Sequence, residues 1–197
     1  MKTSILGAAL AAALLAPGFA HAAADEGGLH GVVGMNLTGR GGDFATVYYT
    51  NGETYTLRAG QLFHLYGGLE YRLPDSGFAL QANVGYHFDQ AGGDNGDLRF
   101  SRVPVELIGL YKVAPSWRLG LGLRDATDAR LHSSGATAMG DYRFKASVGE
   151  ILQLEYLVSP SLGLDMRYVH EIYRLDGGGP GTSINGSHFG LGLAGYF

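Results

Sequence analysis

The stretch His188-Phe-Gly-Leu-Gly-Leu-Ala-Gly-Tyr-Phe197 decides how the rest of the chain is read. Phe189, Leu191, Leu193 and Phe197 share one parity, while His188, Gly190, Gly192 and Ala194 share the other. Strand side chains alternate between two faces, so this segment has one apolar face and one small or polar face. The same period recurs upstream. Phe78, Leu80, Ala82, Val84, Tyr86 and Phe88 oppose Gln81, Asn83, Gly85 and His87. Val103, Val105, Leu107 and Tyr111 oppose Arg102, Glu106 and Lys112. Trp117, Leu119, Leu121 and Leu123 oppose Arg118 and Arg124, and Leu162, Leu164, Met166 and Tyr168 oppose Asp165, Arg167 and Glu171.

Punctuation divides these runs. Leu73-Pro74-Asp75-Ser76, Val113-Ala114-Pro115-Ser116 and Val158-Ser159-Pro160-Ser161 are tight turns in which proline presets the dihedral. Between them lie Gly/Asp/Ser-rich stretches expected to be long loops: Asp89 to Leu98, Asp125 to Asp141 and Leu175 to Gly186. Short turns alternating with long loops match transmembrane barrels. The runs predict eight strands, at about 29–38, 60–72, 78–88, 100–112, 117–124, 143–157, 162–174 and 187–197. The fold expected is all-β, an eight-stranded antiparallel up-and-down transmembrane β-barrel with both termini on the periplasmic side. Residues 44–57 carry Asn51-Gly52, the dipeptide of a type I′ hairpin turn. That hairpin either stands outside the membrane or supplies the first wall strand in place of 29–38.

The N-terminal segment agrees with export. Lys2 gives a positive n-region, Ile5 to Leu15 an apolar h-region, and Ala20-His21-Ala22 a small-x-small cleavage site. Residues 1–22 are therefore expected to be a signal peptide and 23–197 a single domain. No later apolar run approaches the about 20 residues a helical span needs. There are no cysteines, so no disulfide framework stabilises the exported chain. The net charge of −4 is dispersed without a basic run, which argues against nucleic acid as a partner. A soluble barrel or sandwich is the structural rival; it would bury the apolar set and expose the charged one.

With its terminal alternation ending on Phe197, and with Phe100-Ser-Arg-Val-Pro-Val-Glu-Leu107 and Trp117-Arg-Leu-Gly-Leu-Gly-Leu-Arg124, the region 23–197 resembles small outer-membrane β-barrels of the OmpA/OmpX-like type. The resemblance implies location in the bacterial outer membrane among its lipids and lipopolysaccharide. It also implies delivery by periplasmic chaperones and a terminal Phe197 read by the barrel-assembly machinery, with the barrel a monomer.

Eight strands leave an interior just wide enough for side chains to fill. Glu70, Arg72, Arg102, Glu106, Arg118, Arg124, Glu155, Asp165, Arg167 and Glu171 are expected to pair there as a salt-bridge plug. The alternative is an ion path in which the same charges select solutes. His64 and His87 are read as hydrogen-bonded lumen groups. No spacing of metal ligands occurs, and neither metal nor cofactor is expected.

Glu150 breaks the pattern, falling on the apolar parity of Phe144, Ala146, Val148, Leu152, Leu154 and Tyr156. Either a bulge at Gly149 turns it inward, or it faces out beside His170 and Ser187, which lie at a similar height. In the second case Ser187, His170 and Glu150 are candidate catalytic residues on the outer surface. That arrangement is similar to the lipid A deacylase barrels, whose signature is His-x-Ser. Here the segment is His170-Glu171-Ile172, and isoleucine stands where that family's nucleophile would be. Only His170 carries over, and polar residues at the outer membrane rim are the ordinary explanation for His170 and Ser187. The leading expectation is a non-enzymatic barrel whose loops serve envelope integrity or surface interaction, with hydrolase and narrow pore as alternatives.

Overall fold

The structure is a computed structural model and describes residues 27–48, 54–93, 96–135, 140–177 and 183–197. The expected signal segment and the Asn51-Gly52 turn lie outside the described residues. The wall begins with β1 (Gly28–Gly39), then β4 (Leu62–Arg72), β5 (Phe78–Gly93), β6 (Gly96–Ala114) and β7 (Trp117–Ser133). It continues through three interrupted staves: β8 (Tyr142–Ala146) with β9 (Gly149–Ser159), β10 (Leu162–His170) with β11 (Ile172–Leu175), and β12 (Ser183–Asn185) with β13 (His188–Tyr196). Each stave pairs antiparallel with the next. The cylinder closes where β1 meets β13, from Val32↔Tyr196 to Gly39↔Phe189. This is the closed eight-stranded antiparallel barrel.

Burial is inverted relative to a soluble protein. Leu121 is 65% exposed while Arg124, three residues on, is 1% exposed. Leu29, Val33, Leu37, Leu69, Val84, Leu107, Leu164 and Leu191 form an exposed apolar belt with Leu121. An outward band of this composition belongs in hydrocarbon, and the closed ladder leaves no unpaired edge there. The soluble rival, which would place these side chains inside, is excluded. Tyr71, Tyr111, Trp117, Tyr156 and Phe197 sit on the outer face, and Trp117 and Tyr156 pack with ring centroids 5.0 Å apart. All lie toward the rim of the proline turns, as an interfacial girdle would.

Two of the expected loops are largely strand. β5 and β6 continue through most of 89–98, pairing out to Gly93↔Gly96, and β7 runs to Ser133 instead of stopping at Arg124. Glycine and aspartate in these stretches read as breakers, yet their inward residues have work to do. Leu98, Phe100, Ala126, Ala129 and Leu131 pack with Leu57, Ala59 and Tyr173 into an apolar core above the charged lumen. Burying that cluster offsets the weak strand propensity of its neighbours. At about 3.3 Å per residue, the 19 residues of β6 reach roughly 60 Å, about twice what a spanning strand needs. The barrel wall therefore projects well beyond the bilayer.

The remaining two strands, β2 (Asp43–Tyr48) and β3 (Thr54–Arg58), form a separate two-stranded sheet. Residues 29–38 lie in the wall, and the described parts of 44–57, in β2 and β3, pair only with each other and are not wall strands. Leu57 inserts from β3 into the upper core. Pro104 pairs with Ala126 on β7, and on its β5 side the ladder is interrupted between Val84↔Val105 and His87↔Arg102, where a missing N–H can be tolerated.

Candidate functional site: the charged lumen and the outer rim

Five carboxylates (Glu70, Glu106, Glu155, Asp165 and Glu171) and five guanidinium groups (Arg72, Arg102, Arg118, Arg124 and Arg167) point into the lumen. All but Arg72, which is partly open, are buried. They form tiers set by strand register. Nearest the proline turns, Arg72 Nε donates to Glu70 at 2.7 Å and Arg118 reaches Glu70 at 2.8 Å and Glu155 at 2.6 Å. Tyr196 donates to Glu155, and its ring receives the Arg118 guanidinium at 4.9 Å.

In the middle tier Glu106 accepts from Arg124 at 2.8 Å and from Arg167 at 3.1 Å. Arg167 also donates to Gln153 at 2.8 Å and lies 3.3 Å from Asp165, which accepts from Asn36 at 2.8 Å. Above it Glu171 meets Arg124 at 3.1 Å and Arg102 at 3.7 Å, and accepts from Tyr173 at 2.7 Å. His87 bonds Thr38, Arg102 and Arg124. His64 stacks between Tyr66 and His87, each 5.4 Å away. Because Glu106 and Glu171 each serve two arginines, the upper tiers form one connected network across opposite walls.

Sequence reasoning found ten ionised members and the inward Gln81, Asn83, His64 and His87, but it placed the buried Asp89 in a loop and missed several neutral partners. Asn36, Tyr66, Gln153, Tyr173 and Tyr196 all complete contacts made by charged groups. Their inward parity was the available signal. Small residues make room for the long ones: a Cβ on Gly192 would lie 1.8 Å from Asn36 Nδ2 and 2.6 Å from Asp165 Oδ2.

At the outer rim the structure places Glu150, His170 and Ser187 in one row. His170 is directly opposite Glu150 across β9–β10, and its Nδ1 lies 2.9 Å from Ser187 Oγ. Glu150 faces outward; the irregularity between Ala146 and Gly149, across which the register against β10 and β11 shifts by one residue, instead turns Phe144 and Ala146, expected on the outer face, toward the upper core. Ile172, in the position of the deacylase serine, pairs with Asn185 on β12. Higher on the same face, like charges stand opposite each other: Arg130↔Arg143 and Lys145↔Arg174. Asp128 and Asp176 offset two of these, at 2.5 Å from Arg130 and 2.8 Å from Lys145. The Lys145 bond raises the amine's pKa and lowers that of Asp176.

No protein-family model matches the chain, and no curated protein matches it. Solved structures do. The attachment invasion locus protein Ail of Yersinia pestis is 15% identical over 87% of this chain and 99% of its own, with a TM-score of 0.56. The same protein in complex with the heparin analogue sucrose octasulfate gives 0.54. Neisserial surface protein A is 12% identical, covering 86% of this chain and 97% of its own, with a TM-score of 0.52. Identities this low establish architecture and nothing finer. With the outward belt and the closed ladder, they make this chain, in fold, a small eight-stranded transmembrane β-barrel of the outer-membrane type.

Proposed function

We propose that the protein is an integral barrel of the bacterial outer membrane with a sealed lumen, a non-enzymatic envelope component that presents its extended outer hairpins to a partner. The observation that supports a sealed lumen is Glu106, buried and shared by Arg124 on the neighbouring strand and by Arg167, which reaches it from β10 across the interior. An open water path at that level would require these contacts to part, leaving buried charges uncompensated. The projecting wall, with its opposed cationic pairs, supplies an outer surface suited to an anionic partner. Assembly would be directed by Phe197 through the barrel-assembly machinery, among outer-membrane lipids and lipopolysaccharide. The test is electrical. The purified barrel in a planar lipid bilayer should show no stepwise conductance; steady unitary currents through the wild type would overturn the sealed lumen.

A second reading rests on Ser187 Oγ and His170 Nδ1 at 2.9 Å with Glu150 opposite. Here the serine would attack an acyl ester of a neighbouring lipid, with His170 taking its proton and Glu150 supporting the imidazolium. His170 would return that proton to the lipid hydroxyl as the ester C–O bond breaks, and water would then release the fatty acid from the acyl-serine. Mass spectra of lipid A from cells bearing the wild type, Ser187→Ala or His170→Ala decide it. Identical acylation in all three removes this reading, and a shift abolished by both variants establishes it.

A further inference from the structure

Arg40 is one of four described non-glycine residues with a positive φ. Its φ of 81° is left-handed, as is the 100° of Gly41, in the link between β1 and β2. Such a conformation is costly for a non-glycine residue and persists only where the surroundings hold it. The turn throws Arg40 sideways across the β1–β13 seam, with its guanidinium carbon 5.7 Å from the Phe189 ring centroid.

Two hollows meet under that side chain. Above is a cavity of about 620 Å³ whose walls include Arg40, Arg58, Asp43, Tyr168 and Ser187. Below is a groove of about 420 Å³ cut into the apolar belt, lined by Leu37, Met166, Phe189 and Leu191. Arg40 and Phe189 border both. The groove exists because Gly39 sits on the outward parity beside Phe189, and a Cβ there would meet nothing within 4 Å. The floor between the hollows is the Tyr168–Phe189 ring pair, with centroids 4.8 Å apart.

We propose that this bipartite cleft binds one acylated lipid of the surrounding leaflet whose phosphate headgroup carries a net negative charge, with that phosphate on Arg40 and Arg58 and an acyl chain in the notch at Gly39. A planar guanidinium matches phosphate oxygens in pairs. The cavity carries two such groups against the single carboxylate of Asp43, which lies 2.9 Å from Arg58. The groove continues from the cavity into hydrocarbon, so a ligand filling both halves has a charged head and an oily tail. A soluble anion would leave the lower half empty. This site rests on the membrane-spanning reading above but needs neither a partner protein nor serine chemistry.

The test uses the refolded full-length barrel in detergent, offered lipid A, phosphatidylglycerol or phosphatidylcholine, with retained lipid counted by native mass spectrometry. Folding of every variant is checked by its heat-modifiable gel migration. The wild type should retain lipid A at least tenfold over phosphatidylcholine. Arg40→Ala and Arg58→Ala should each lower that retention about tenfold, the worth of one charge-assisted hydrogen bond. Gly39→Leu should do the same by filling the notch without a clash, while Asp43→Asn should raise retention by freeing Arg58. Arg99→Ala, placed elsewhere on the wall, should change nothing. Equal retention of zwitterionic and anionic lipid, wild-type retention by Gly39→Leu, or displacement by millimolar inorganic phosphate would each overturn the site. Failure of the wild type to enter lipid at all would instead overturn the membrane reading itself.

Discussion

Replacing Glu106 by glutamine is the sharpest probe of the lumen. Glutamine keeps the volume and one acceptor oxygen, but it removes the charge that Arg124 and Arg167 share at 2.8 and 3.1 Å. Both arginines are fully buried, so neither can turn to water. Loss of one partner of a buried pair costs about 3–5 kcal/mol. With a urea dependence of about 2 kcal/mol per molar, the unfolding midpoint should fall by roughly 2 M. The assay is equilibrium unfolding in phospholipid vesicles followed by Trp117, the sole tryptophan, whose ring packs on Tyr156 and reports on the intact wall. A cycle with Arg167→Met separates pairing from general disruption. The double variant should be less destabilised than the sum of the singles, because the methionine removes one stranded charge. A shift under about 0.5 M for Glu106→Gln, with additive singles, would mean that water already screens these groups, and the reasoning would be refuted.

Gly192→Ala should cost about 1–3 kcal/mol, because its Cβ would overlap Asn36 and Asp165, whereas Gly67→Ala, with only Val32 O at 3.7 Å, should stay within about 0.5 kcal/mol; vesicle unfolding distinguishes them. Leu121→Arg puts a charge on an outward side chain in the middle of its belt and should cost about 2–4 kcal/mol. The same assay would contradict the membrane placement if that variant were as stable as the wild type.

Much of this was legible beforehand because a barrel writes its two environments in strict alternation. Parity alone separated Leu121 from Arg124 and put His170 level with Ser187. It could not say that the latter two approach to 2.9 Å, which depends on local twist and rotamer. Nor could it extend β7 past Asp125, since local turn propensity there opposes a distant gain, the packing of Ala129 and Leu131 under Leu57. The ten charged lumen residues were found because ionised groups stand out among apolar neighbours. Tyr66, Tyr173 and Tyr196 were not, because tyrosine serves the girdle and the interior equally well. The cleft at Arg40 was invisible for another reason: it arises from a left-handed backbone and an absent side chain at Gly39, and neither leaves a periodic trace.

The seam has a consequence for biogenesis. Gly31 exchanges backbone hydrogen bonds with Phe197, so the final stave is completed by the earliest one across nearly the whole polypeptide. Closing so large a ring is entropically slow, and until it happens every intermediate keeps two raw edges. A nascent chain lacking its last ten residues would hold seven staves and no cylinder, with its half-hydrated arginines facing whatever solvent it meets. Until closure, both raw edges are open to pairing with any other strand, which follows from the topology alone.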